Sequence, residues 1–187
     1  MRRSRLVAAV LTILLVTVAA VAEHLSEVSS SYEVVRTPLE RTTAYESGEV
    51  LVSDVRVGTE VREGESRYPT QGLFVVVHVA VRATGRSDVS VPSSQLRAEG
   101  GLTYLPASSS IIKADPGFET ARDVVFEVDP ARIDDLTLEL WDQGLTYRYY
   151  QRTQTPLGIT GTNAKAWVEA GTGRSVVAVR DVTTAIA

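Results

Sequence analysis

Beyond residue 22 the chain alternates apolar and polar side chains with a period of two, the repeat of a β-strand that buries one face. In Leu73 to Arg82 (LFVVVHVAVR), Val75, Val77, Val79 and Val81 fall on one face, and Phe74, Val76, His78, Ala80 and Arg82 on the other. A purely valine face backed by a mixed one predicts a central strand of a sandwich whose outer face is partly covered. Arg122 to Val128 repeats the pattern through Val124, Phe126 and Val128, and Leu136 to Trp141 does so through Leu136, Leu138 and Leu140, with Asp129-Pro130 opening the connection between them. Gln95 to Ala98 and Leu102 to Leu105 predict a hairpin through Gly100-Gly101. Glu49 to Val57 alternates poorly, and Ser53-Asp54 predicts a bulge there. Tyr32 to Arg36 predicts a short first strand. A strand over Leu145 to Arg152 follows the turn Trp141-Asp142-Gln143-Gly144, and Ser175 to Val182 supplies a late strand, added at an edge or docked separately. No apolar stripe of period 3.6 lasts three turns. Seven or more short strands at this spacing predict an all-β fold, an antiparallel immunoglobulin-like two-sheet sandwich preceded by an N-terminal hydrophobic helix, with a barrel as the structural alternative.

That helix is the leader. Arg2, Arg3 and Arg5 precede an uncharged run from Leu6 to Ala22, a basic flank followed by a membrane-entering segment, so everything after Glu23 is expected outside the cytoplasm. The run has the length of a short membrane-spanning helix and no helix breaker, which we read as an N-in single-pass anchor in the cell membrane. Ala20-Val21-Ala22 before Glu23 also reads as a small-x-small cleavage site, so secretion after cleavage at Ala22-Glu23 is the alternative. The expected organisation is therefore a signal peptide or anchor over residues 1–22, a polar stalk over 23–48, the sandwich over 49–160 and a C-terminal extension over 161–187.

Composition narrows the chemistry. An exported chain without cysteine has neither a disulfide framework nor thiolate chemistry, so its stability must come from buried Val, Leu, Ile and Phe. Three of the 19 basic residues sit in the leader, which leaves the remainder with a net charge of −7. Such a surface disfavours nucleic acid and anionic lipid and keeps an exported domain soluble.

Candidate sites are few. His24 and His78 are the only imidazoles. No second histidine stands near His78 in the pattern to complete a usual zinc set, so it reads as a partly covered surface residue with ordinary hydrogen bonds. There is no Gly-x-Ser-x-Gly elbow, and Ser108-Ser109-Ser110 is a loop cluster. Asp134-Asp135 with Glu139, and Glu60, Glu63 and Glu65, are the densest carboxylates. Neither group has the spacing of a calcium loop, and the second, interleaved with Arg62 and Arg67, predicts a mixed-charge hairpin tip. No catalytic residue, metal or cofactor is expected. Leu145 to Arg152 is richer: tyrosine and arginine recur where proteins touch, and alternation sets Leu145, Tyr147 and Tyr149 against Arg148, Tyr150 and Arg152. Tyr147, Arg148, Tyr149, Tyr150 and Arg152 are the partner-binding candidates, against the alternative that the tyrosines cover a sheet edge while the arginines lie over them.

Gly72 to Gly85, with Gly100-Gly101-Leu102-Thr103-Tyr104 and the Pro116-Gly117 lead into Val124 to Val128, resembles the telokin-like domain of unknown function of bacterial envelope proteins. Ala83 replaces the usual Asn of that family, and Asp129 separates Val128 from Pro130. The resemblance covers about Glu49 to Trp141 and implies a fold and a location but no reaction. Together these features predict a non-enzymatic extracytoplasmic module that contacts an unknown envelope protein. The alternatives are a carrier of a small apolar ligand or lipid and, behind it, a hydrolase built around His78.

Overall fold

Val75, Val77, Val79 and Val81 are fully buried along one face of a single long strand, and the molecule is assembled around that face. The computed structural model describes residues 32–142, 150–173 and 176–187. The expected leader helix and residues 23–31 of the expected stalk fall outside them, while the rest of the stalk carries two short strands. Among the described residues no helix is long and apolar enough to cross a membrane.

Two sheets form the body. Sheet A runs in the order β1 (Tyr32–Arg36), β11 (Tyr150–Pro156), β10 (Thr137–Trp141), β6 (Ser93–Arg97) and β7 (Thr103–Tyr104). Sheet B runs β12 (Val176–Ala178), β3 (Gly48–Glu63), β4 (Ser66–Arg82), β9 (Phe118–Val128) and β13 (Thr183–Ile186), with β2 (Thr43–Tyr45) paired to β3. Strands β5 (Val89–Val91) and β8 (Ile112–Ala114) make a small third sheet. Val50, Val52, Val124, Phe126 and Val128 join the β4 valines on the inner face of sheet B, and Leu96, Leu138 and Leu140 oppose them from sheet A. This is the sandwich the alternation predicts, including the β6–β7 hairpin across Gly100-Gly101.

The chain forms two compact units. One comprises Met1–Glu33 with Gly144–Tyr150; in it the rings of Tyr32 and Tyr150 lie 5.7 Å apart. The other comprises Val34–Gln143 with Gln151–Ala187.

Three features depart from the expectation. The strands of the β3–β4 hairpin are 16 and 17 residues long, because pairing continues past the apolar segment out to a charged tip at Gly64. A helix, α1 (Ala164–Gly173), packs against the core through Ala164, Trp167, Val168 and Gly171, a stripe at helical spacing hidden by its small members. A Cβ on Gly171 would lie 2.5 Å from Leu73 Cδ1, so glycine sets how closely the helix approaches the sheet. Finally, the late strand expected over Ser175 to Val182 is confined to β12, which pairs in parallel with β3, and a further strand beyond it, β13, pairs antiparallel with β9, with residues 179–182 between them in the chain. The sheet is thus mixed rather than purely antiparallel. Arg180 and Asp181 interrupt the apolar run that β12 begins.

Candidate functional site

The outer face of sheet B is where chemistry-bearing side chains converge. Alternation along β9 places Asp123 and Val125 outward, opposite His78 and Val76 of β4. On β3, pairing jumps from Ser53–His78 to Arg56–Val76, a bulge at Asp54 and Val55 in which Asp54 adopts a left-handed backbone at φ 46°. An uninterrupted strand would turn Arg56 inward; the extra residue returns it to the outer face, and aspartate tolerates the left-handed conformation better than most residues.

The result is a closed ring of alternating charge. Arg56 Nη2 donates to Asp123 Oδ2, and Arg56 Nε lies 3.3 Å from Asp54 Oδ2. Arg180 completes the circuit, with Nη2 at 2.9 Å from Asp123 Oδ1 and 2.8 Å from Asp54 Oδ2. Its backbone N–H also donates to Asp123 Oδ2 at 2.8 Å, and His78 Nδ1 donates to Oδ1 at 2.9 Å. Asp123 is 3% exposed. Burial pushes its carboxyl up, but the hydrogen bonds from Arg180, His78 and Arg56 outweigh burial and hold it down at about 2.

A histidine on a buried aspartate supplies two of the three members of a hydrolytic triad, and the third would be a hydroxyl on the imidazole. Among the described residues no hydroxyl bonds to His78, and no group of three or more His, Asp or Glu is placed to hold a metal ion. Both oxygens of Asp123 are taken by donors that fasten residue 180 to the sheet. The geometry is that of a latch on the C-terminal strap, residues 176–186, which run from β12 at one edge of sheet B to β13 at the other. His78 stands where the alternation put it, on a partly covered outer face; its partner Asp123 escaped the sequence reading because strand register is not written in one strand.

Beside the ring, the same face is apolar. Val61, Phe74, Val76, Val125 and Val177 form a second buried cluster, against which Val179 packs. Where the strap leaves this face open there is a groove of about 360 Å³, lined by Val61, Phe74, Val125, Val179 and Tyr68, with Glu63 and Glu127 among its lining carboxylates. Tyr68 is half exposed there.

The outer face of sheet A holds a second buried carboxylate. Glu139 accepts from Gln95 Nε2 at 2.7 Å and Gln154 Nε2 at 3.0 Å, and Arg97 and Arg152 lie at 3.3 and 3.4 Å. Arg152 also lies over the Trp141 ring, 4.2 Å from its centroid. Of the partner-binding candidates, Arg152 therefore belongs to the Glu139 cluster, Tyr150 is buried beside Tyr32, and Tyr147, Arg148 and Tyr149 lie outside the described residues.

No protein-family model matches the chain, and no curated protein matches it. Solved structures are similar in fold. An uncharacterized beta-sandwich protein from Clostridium difficile is 9% identical with a TM-score of 0.43, covering 67% of this chain and 96% of its own. The yjhA protein from Bacillus subtilis is 11% identical with a TM-score of 0.48, covering 63% and 98%. MPT63, a secreted protein from Mycobacterium tuberculosis, is 16% identical with a TM-score of 0.44, covering 65% and 98%.

Proposed function

We propose that the chain is a non-enzymatic, extracytoplasmic sandwich module of immunoglobulin type that works by protein–protein contact in the cell envelope, tethered by residues 1–22. The observation that carries this reading is the internal use of both buried carboxylates described above. Asp123 is spent on Arg56, Arg180 and His78, and Glu139 on Gln95, Arg97, Arg152 and Gln154, so each serves to order a face of the sandwich. The basic flank and apolar run at the N-terminus support the location, and the resemblance to telokin-like envelope domains supports both fold and setting. A carrier would need a cavity between the sheets, whereas the groove opens on the outer face of sheet B.

Photo-crosslinking in the native cell from a reactive residue at Tyr68 tests this. A discrete adduct with one envelope protein is expected; adducts with cytosolic proteins alone would defeat it. An N-terminal sequence read settles the tether, since a mature chain beginning at Glu23 removes it.

A further inference from the structure

The strap is itself a ligand of sheet B. Its segment Val177-Ala178-Val179-Arg180 lays two valines on the apolar outer cluster and sets an arginine against a buried carboxylate. The groove continues that face beyond Val179 and repeats its ingredients: an apolar floor of Val61, Phe74 and Val125, and carboxylates at Glu63 and Glu127. No lysine or arginine lines it. Neither Glu63 nor Glu127 forms an ion pair among the described residues, although Thr70 Oγ1 donates to Glu127 Oε1. Among the described residues the carboxylates of the ring are answered by cations, and those of the groove are not. The two aromatic rings of the groove, Tyr68 and Phe74, add faces that attract a cation.

We infer that this groove takes an extended segment of a partner protein in which a lysine or arginine stands beside apolar side chains, as Arg180 stands beside Val179 in the strap. The inference rests on the protein-contact reading above and names the chemistry of that contact. At about 360 Å³ the groove lies near the small end of ligand sites, room for one or two side chains rather than a folded domain. The recognised unit is therefore a short motif, with one apolar side chain on the floor and its cationic neighbour between Glu63 and Glu127.

The test uses the full chain in a maltoside detergent and fluorescence anisotropy of a labelled acetyl-Val-Lys-Val-Arg-Val-amide peptide. Binding is expected, at least tenfold tighter than for the Val-Glu-Val-Glu-Val counterpart, and weakened severalfold as salt rises from low to high ionic strength. Glu127→Lys, at an exposed position, should abolish it, and Tyr68→Ser should weaken it severalfold; unchanged melting of each variant confirms that it is folded. Equal binding of the acidic peptide, or binding indifferent to both variants, overturns the inference. So does saturation of the groove by butyltrimethylammonium with the same Glu127 dependence while the peptide fails to bind, which would assign a small cationic ligand instead. If the cellular crosslink survives Glu127→Lys, the groove is not the contact although the protein-contact reading stands; loss of the crosslink in that variant supports both.

Discussion

Two buried carboxylates stand on the two outer faces of this sandwich, each near the middle of a central strand, and they do different work. Glu139 is held by residues of the strands that flank it in sheet A, Gln95 and Arg97 on β6 and Arg152 and Gln154 on β11. Asp123 is held in part by Arg180, which belongs to no neighbouring strand but to a segment laid over the sheet. One carboxylate ties together a surface already defined by backbone pairing. The other fastens, at Arg180, the stretch of chain that joins β12 to β13. A buried charge therefore reports on architecture according to where its partners come from, and of the two carboxylates Asp123 is the one bonded to the C-terminal segment.

Removing each carboxylate separates the two roles. Asp123→Ala leaves Arg56, Arg180 and His78 without their shared acceptor and should cost about 3 kcal/mol in urea unfolding. Amide exchange over Val176–Ile186 should accelerate at the same time, and protected strap amides in that variant would break the comparison. Acid sharpens it next. The folded carboxyl of Asp123 sits at about 2 against an ordinary 3.8, so its contribution is complete above pH 4 and is lost as pH falls toward 2. That loss should amount to about 2 kcal/mol in the native chain and vanish in Asp123→Asn, as measured by urea midpoints at pH 5, 3 and 2. Glu139→Gln should cost about 1–2 kcal/mol and leave strap exchange unaltered, since its partners lie within sheet A. Equal acceleration of the strap in both variants would erase the distinction. The smallest effect is expected for Arg152→Ala, about 0.5–1 kcal/mol from the lost stacking on Trp141, with a change in near-ultraviolet dichroism as the readout.

Much of this architecture could be read from periodicity. The Val75 to Val81 face, the Val124, Phe126, Val128 trio and Leu136, Leu138 and Leu140 are buried as alternation requires. The bulge at Ser53-Asp54 and the charged tip of Glu60, Glu63 and Glu65 with Arg62 and Arg67 also lie where the pattern places them. Helix α1 was harder to see because its inward positions are Ala164 and Gly171, whose small side chains carry little hydropathic signal. The latch was illegible for another reason. Asp123 and Arg180 are 57 positions apart, and nothing local to either says that one strand register and one crossing will bring them together. Periodicity reports which way a side chain faces; it does not report which other side chain it will meet.

The strap has a kinetic corollary. Strands β3, β4 and β9 all precede it in the chain, so during synthesis the apolar patch of Phe74, Val76 and Val125 is finished before Val177 and Val179 emerge to shield it. In that interval the nascent molecule offers a bare, sticky sheet surface to its surroundings, and a chaperone or early ligand bound there would compete with the protein's own last strands.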